Sequence, residues 1–240
     1  MTNPQRIQTF GRKFGRKMRP EKKQLLDELL PTLAISPESL PQESVLSAYS
    51  FFGDQIKHVH LEIGFGNGEH LVWRAANEPD IGFIGCEVFM QGVAMCLSHL
   101  QQAAPTHAEG SGNVRLFTED ARLILDALDN NTLDRIYILF PDPWPKVRHH
   151  KRRIVNQELL DMASRVLKDG GELHLATDHW DYAQWILVHF QQRADFIWKA
   201  QSKKDWETPP QGHNKTRYEV KQKDGHEPIF LQFVRRDFPL

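Results

Sequence analysis

With 240 residues, 40% of them apolar and 25% charged, the chain is long enough for one sizeable α/β domain with additions and reads as soluble and globular. Its formal net charge of −1 excludes a uniformly basic nucleic-acid binder, so any surface for phosphate backbone has to be a local patch. Cys86 and Cys96 lack paired ligand spacing, which argues against a disulfide framework or a zinc site, and no apolar run approaches the roughly 18 residues of a membrane span.

Residues 1–19 carry Arg6, Arg12, Lys13, Arg16, Lys17 and Arg19 with no acid and no periodic apolar face, so a flexible basic arm, disordered until bound, is expected. The arm has no apolar core of the secretory kind. Residues 20–56 read as a helix opened by Pro20 and closed by Pro31, then a connecting segment marked by Pro37 and Pro41. From residue 57 to 240 short apolar runs alternate with amphipathic stretches, as repeated βα units do. Strands are expected at 58–63, 81–87, 113–117, 134–140 and 171–176, with helices at 69–77, 89–103, 120–128, 155–168 and 180–192. Gly110, Gly112, Gly170 and Gly171 are expected in tight turns. Strand-like runs at 196–199, 218–222 and 229–235 without helices between them predict a mainly parallel sheet that ends in an antiparallel pair.

The chemistry gathers at the carboxyl ends of the strands, where open α/β sheets bind ligands. After the first strand come Glu62, Gly64, Gly66, Gly68 and Glu69. Glycines permit a tight strand-to-helix turn and close approach of a ligand to backbone. A dinucleotide fingerprint needs a small residue where Glu69 stands, and a carboxylate at a helix N-terminus repels a pyrophosphate. A cationic ligand without phosphate, such as S-adenosylmethionine, suits this turn. Glu87, at the tip of the second strand, is placed to accept ribose hydroxyls. Asp120, after the third, can cap the next helix, accept from an adenine amino group, or both.

After the fourth strand, Pro141, Asp142, Pro143, Trp144 and Pro145 predict a stiff non-helical loop with Asp142 as its only ionisable group. Lys146, Arg148, His149, His150, Lys151, Arg152 and Arg153 follow. A carboxylate between Phe140 and Trp144 and beside a cationic strip suits a nucleobase joined to phosphate backbone. His58, His60, His174 and His179 have ordinary strand or helix-start explanations, and no metal site is read.

The glycine turn, Glu87, Asp120 and the Phe140–Pro141–Asp142–Pro143–Trp144 loop with its basic strip resemble the bacterial tRNA (guanine-N7-)-methyltransferases. Those are class I, Rossmann-like, S-adenosylmethionine-dependent enzymes. Thr177–Asp178 and Thr216, Arg217, Tyr218 and Glu219 resemble two further signatures of that family, and the likeness runs in order over residues 57–236. It implies Glu62, Gly64, Gly66, Gly68, Glu87, Asp120 and Asp142 around the cofactor, with Asp142 at the active site. It also implies Lys146, Asp178, Thr216, Arg217, Tyr218 and Glu219 on the substrate, and residues 148–153 along the RNA. Pro145 departs from the pattern where a histidine is frequent, which weakens any proposal of a catalytic histidine there.

The expected activity is methyl transfer from S-adenosylmethionine to N7 of guanosine in tRNA, by resemblance at position 46 of the variable loop, in the cytoplasm. Nothing in the sequence calls for a metal, a membrane or a protein partner. The rivals are another S-adenosylmethionine-dependent RNA base methyltransferase, a non-catalytic RNA-binding subunit, and a nicotinamide-dependent dehydrogenase. Glu69 and the missing third fingerprint glycine disfavour the last.

Overall fold

The computed structural model describes residues 11, 13–15, 17–42, 44–103, 112–214, 219 and 227–237. Among them lie strands β1 (His58–Ile63), β2 (Ile81–Cys86), β3 (Val114–Phe117), β4 (Leu133–Leu139), β5 (Leu167–Thr177), β6 (Phe196–Trp198) and β7 (Ile229–Arg235). The helices are α1 (Pro20–Glu28), α2 (Leu30–Leu33), α3 (Glu69–Asn77), α4 (Met90–Ala103), α5 (Ala121–Ala127), α6 (Gln157–Val166), α7 (Trp180–Gln191) and α8 (Lys203–Glu207). The strands form one sheet in the order β3-β2-β1-β4-β5-β7-β6. β1 to β5 are parallel, and β7 runs antiparallel to both β5 and β6, as the sequence predicts.

The βα alternation positions the site. Val59, Leu61, Ile63, Ile136, Ile138, Leu173 and Leu175 turn one face of the sheet toward α5, α6 and α7. Phe83, Val114 and Leu116 meet Leu71, Val93 and Leu97 of α3 and α4 on the other. The strand order reverses between β1 and β4, and because β1 to β5 are parallel their carboxyl ends open on the same edge.

Some boundaries differ from expectation for local reasons. Asn156 caps α6, its Oδ1 accepting from the Leu159 amide at 3.0 Å, so the helix starts at Gln157. β5 begins at Leu167 because Leu167 pairs with Leu133, and an irregularity precedes the pair Arg135–Glu172. Gly170 and Gly171 thus sit inside the strand in place of the expected turn. The segment after α2 covers the sheet edge and its neighbours: Ala34 bridges Leu116, Leu46 bridges Leu128, and Ala48–Phe51 is a short 3-10 turn. The strand expected at 218–222 and the turn glycine Gly110 lie outside the described residues, Glu219 excepted.

The central strands carry a polar layer on the α3 side. His60 and His174 are buried, each edge-on to Tyr137 at 5.8 and 5.5 Å. Burial, with Arg135 and Arg74 next in effect, holds His60 well below the ordinary histidine value; burial also lowers His174, against the hydrogen bond it donates to Glu172. Both are therefore neutral in the fold. The unfolded chain binds protons at these sites below about pH 6.5, so their stabilising contribution is full above that pH and lost as pH falls. The expected loss approaches about 1.4 kcal/mol per pH unit for each histidine. Thermal unfolding between pH 7.5 and 5 checks this, with His60→Phe flattening the acid limb.

Candidate active site

The glycine turn is built as the sequence implies. Gly64, Gly66 and Gly68 have φ of 73°, 58° and 80°, a region that side chains disfavour. The Gly64 amide donates to Cys86 O at 2.8 Å and that of Gly68 to Phe65 O at 2.9 Å. A Cβ at Gly64 or Gly66 would stand in open space, whereas one at Gly68 would meet Cys96 Sγ at 2.5 Å. Glu62 ends β1 buried, accepting from His70 Nδ1 at 2.8 Å. Glu87 ties the turn to β2: its Oε2 accepts from the Gly66 amide at 2.9 Å and its Oε1 from that of Phe89 at 2.8 Å. Burial raises the Glu87 carboxyl above the usual range, the backbone N–H groups oppose this, and the charge of Asp142 adds to the rise.

Asp120 is the N-cap of α5, its Oδ1 accepting from the Arg122 amide at 3.0 Å while the Arg122 guanidinium forks onto both oxygens at 2.9 and 2.8 Å. Of its two expected roles, the cap is thus present. The prolines after β4 make the expected irregular loop, and its ends are more strained than the sequence suggests. Phe140 and Trp144 both take left-handed backbone, with φ of 51° and 45°. Asp142 is exposed between them.

One cavity of about 800 Å³ joins these parts, and Glu62, Gly64, Gly66, Glu87, Asp120 and Asp142 all line it. Glu69, Phe65, Phe89, Lys151, Arg152 and Ile154 also take part in its wall. The glycine-turn side carries the carboxyl groups of Glu62, Glu69 and Glu87, while the described cations of the wall are Arg122, engaged by Asp120, and Lys151, Arg152 and Arg153 of the basic strip. The open space over the turn admits a ligand against backbone, and the carboxyl groups there disfavour a pyrophosphate and fit a cationic nucleoside such as S-adenosylmethionine. The wall continues into the N-terminal segment: Gly11 lines the cavity, Lys13 O accepts from the Met90 amide at 3.0 Å, and Lys13 Nζ pairs with Glu119 at 2.5 Å. These residues, expected to be disordered until bound, rest against the start of α4.

The basic strip divides. Lys146, Arg148 and Lys151 are exposed, Arg152 lies over the Trp144 ring at 4.9 Å, and His149 meets the same ring edge-on at 5.9 Å. His150 turns toward Trp185 at 5.5 Å. Arg153, expected along RNA, is corrected by its burial: it is 1% exposed. Its Nε donates to Pro143 O at 2.8 Å, its Nη2 pairs with Asp181, and its guanidinium lies 4.9 and 5.0 Å from the Tyr182 and Trp185 rings. It clamps the Asp142 loop to α7 and offers nothing to a phosphate.

Asp178 stands half-buried at the end of β5, beside the strand that carries the Asp142 loop. Glu219 is turned inward: His213 Nε2 lies 2.8 and 2.9 Å from its oxygens, and the two side chains are 4% and 5% exposed. His213 in turn lies 6.1 Å from His70, which binds Glu62. Thr216, Arg217 and Tyr218 lie outside the described residues. No group of three or more potential ligands for a metal ion occurs among the described residues.

His70, His213 and Gly92 escaped the sequence reading. Gly92 had a signal, a glycine inside a helical pattern. A Cβ there would sit 2.4 Å from Gly66 O. Gly92→Ala is therefore expected to push the turn out of shape and weaken S-adenosylhomocysteine binding roughly tenfold or more, the scale of overpacking at about 1–3 kcal/mol. Isothermal calorimetry reads the loss, with circular dichroism confirming the fold.

A family model described as "Putative methyltransferase" matches residues 56–231. The tRNA (guanine-N(7)-)-methyltransferase of Rhodospirillum rubrum is 41% identical over 228 residues, covering 95% of this chain and 87% of that one. That of Paramagnetospirillum magneticum is 42% identical over 233 residues, covering 97% and 94%. Among solved structures, an antibiotic-related methyltransferase superposes with a TM-score of 0.51 at 18% identity, covering 83% of this chain and 93% of its own. A SAM-dependent O-methyltransferase of Thermotoga maritima also gives 0.51, at 14% identity over 90% and 72%. These two likenesses concern the fold alone.

Proposed function

Because the chain belongs to the tRNA (guanine-N7-)-methyltransferases, we propose that it methylates N7 of a guanosine in tRNA, with S-adenosylmethionine as donor, in the cytoplasm. The observation that carries this reading is the single cavity that joins the anionic glycine turn to the Asp142 loop and the cationic strip. Glu87 retains lone pairs for a ribose while its two oxygens hold backbone amides. Glu62 and Glu69 face the cationic end of the donor.

When bound, S-adenosylmethionine supplies a methyl group on a positively charged sulfur. Guanine N7 has a lone pair and no proton, so the chain need not provide a general base. Its residues have to align the base, exclude water and tolerate the positive charge left on the purine. Asp142, exposed at the mouth of the cavity, faces that charge in this reading. A carboxylate can accept together from guanine N1–H and the N2 amino group, a pair adenine lacks. Glu219 is engaged by His213, so Asp178 is the acid we assign to this edge; Lys146, Thr216, Arg217, Tyr218 and Glu219 are assigned to the substrate by the resemblance alone. Trp144 supports the base once it leaves its stack.

Lys146, Arg148 and Lys151 are assigned to phosphate, with His149, His150 and Arg152 beside them. Neutralising Arg148 and Lys151 together is expected to reduce the slope of log affinity for tRNA against log salt by roughly 0.7–0.9 per lost contact, with cofactor affinity unchanged. An unchanged slope in filter binding would leave the strip as solvated surface. The position is tested by reduction and aniline cleavage of the treated tRNA, since 7-methylguanosine is cationic and labile to this chemistry. Cleavage at position 46 is expected; cleavage elsewhere would move the target.

A further inference from the structure

Directly after Asp178 the chain exposes a large aromatic: Trp180, the first residue of α7, is 56% exposed. Its ring lies 6.2 Å from that of Trp206, at 47°. Trp206 packs one side against the core, on the short helix α8, whose Lys203 and Lys204 are exposed. The aromatic pair is built, not incidental. Ser202 and Asp205 close a capping box that fixes α8, with Asp205 Oδ2 accepting from the Ser202 amide at 2.7 Å and the Gln201 amide at 3.0 Å. The first turn of α7 is fixed from the other side by Arg153, which pairs with Asp181.

Arg153 thus joins the first turn of α7, which Trp180 opens, to Pro143 of the Asp142 loop. The aromatic pair stands at the sheet edge where β5 ends, beyond the loop as seen from the glycine turn. Two indoles, with Lys204 exposed on the same short helix as Trp206 and Lys203 paired there with Glu207, are too small a patch for a stable protein interface, which needs on the order of 1,200 Å². Aromatic faces beside cations are what an unpaired base needs, because every base has a π-face and its phosphate carries charge.

We propose that Trp180, braced by Trp206, is a stacking platform for an unpaired tRNA base flanking the methylated guanosine. A target base drawn out of its stack leaves neighbours that have lost a partner, and the platform supplies one. The inference rests on tRNA being the substrate.

The test measures binding of unmodified tRNA to the full-length protein, with methylation by the wild type run alongside. Trp180→Ala is expected to weaken binding roughly ten- to hundredfold, the loss of one base–aromatic stack. Its salt slope should match the wild type, since no charge is removed. Trp180→Phe should restore most of the affinity and Trp180→Leu should not, which separates stacking from apolar burial. Calorimetry with S-adenosylhomocysteine should show the cofactor site unaffected. Wild-type affinity in Trp180→Ala, with the wild type active on tRNA, would overturn the platform and leave the function standing. A wild type that neither binds nor methylates tRNA would overturn both.

Discussion

Replacing Arg153 with lysine is expected to cost turnover far more than binding. Arg153 is the buried strut of the Asp142 loop, and a lysine cannot donate to Pro143 O while also pairing with Asp181 and lying flat between Tyr182 and Trp185. The loop it holds is strained at both ends, Phe140 and Trp144, so it has a lower-energy shape to relax into once the strut goes. A displacement of about 1 Å at Asp142 is enough to cost on the order of a hundredfold in kcat. The lost charge-assisted hydrogen bonds are worth about 1.5–3 kcal/mol of stability, several degrees in Tm. Cofactor affinity should hold, because the glycine turn and Glu87 do not touch Arg153. The salt slope of tRNA binding should also hold, since Arg153 is assigned no phosphate contact. Single-turnover kinetics beside both binding assays separates these outcomes. A reduced slope with normal kcat would return Arg153 to the RNA surface.

Glu87→Ala is expected to act on the other half of the cavity and to show the opposite signature. The substitution removes the acceptors of the Gly66 and Phe89 amides as well as the proposed ribose contact, so the turn keeps only its backbone tie to β2 through Cys86 O. A lost hydrogen bond to a charged group costs about 1.5–3 kcal/mol, which for binding is roughly ten- to hundredfold per contact. S-adenosylhomocysteine affinity should fall at least that far while tRNA binding persists. Glu87→Gln should rescue little, because its amide nitrogen would face one of the two N–H donors. Wild-type cofactor affinity in both variants would remove Glu87 from the site.

The sheet was legible because its signals are local. Apolar runs of strand length, glycine turns and helix periodicity recur in order, and the acids at or just past the strand ends fall on the same edge once the strands are parallel. Glu62, Glu87, Asp120 and Asp142, which the resemblance grouped, therefore line one cavity. Arg153 was not legible, because nothing local separates it from Lys151 and Arg152; it is drawn inward by Pro143 O and by two aromatic rings on a helix that comes later in the chain. The His70–Glu62 and His213–Glu219 pairs are tertiary in the same way. α8 was missed although Ser202 and Asp205 carry capping-box spacing, because a helix of five residues leaves no periodic pattern. The bulge in β5 hid behind Gly170 and Gly171, which read equally well as a turn.

The central claim is that guanine N7 in tRNA receives the methyl group. Purified protein incubated with labelled S-adenosylmethionine and bulk unmodified tRNA, followed by nuclease digestion and mass spectrometry of the nucleosides, tests it most directly. The account predicts label in 7-methylguanosine, lost in the Arg153→Lys and Glu87→Ala proteins to the extents given above. Label on guanine N1 or N2, on a ribose oxygen or on another base would contradict it.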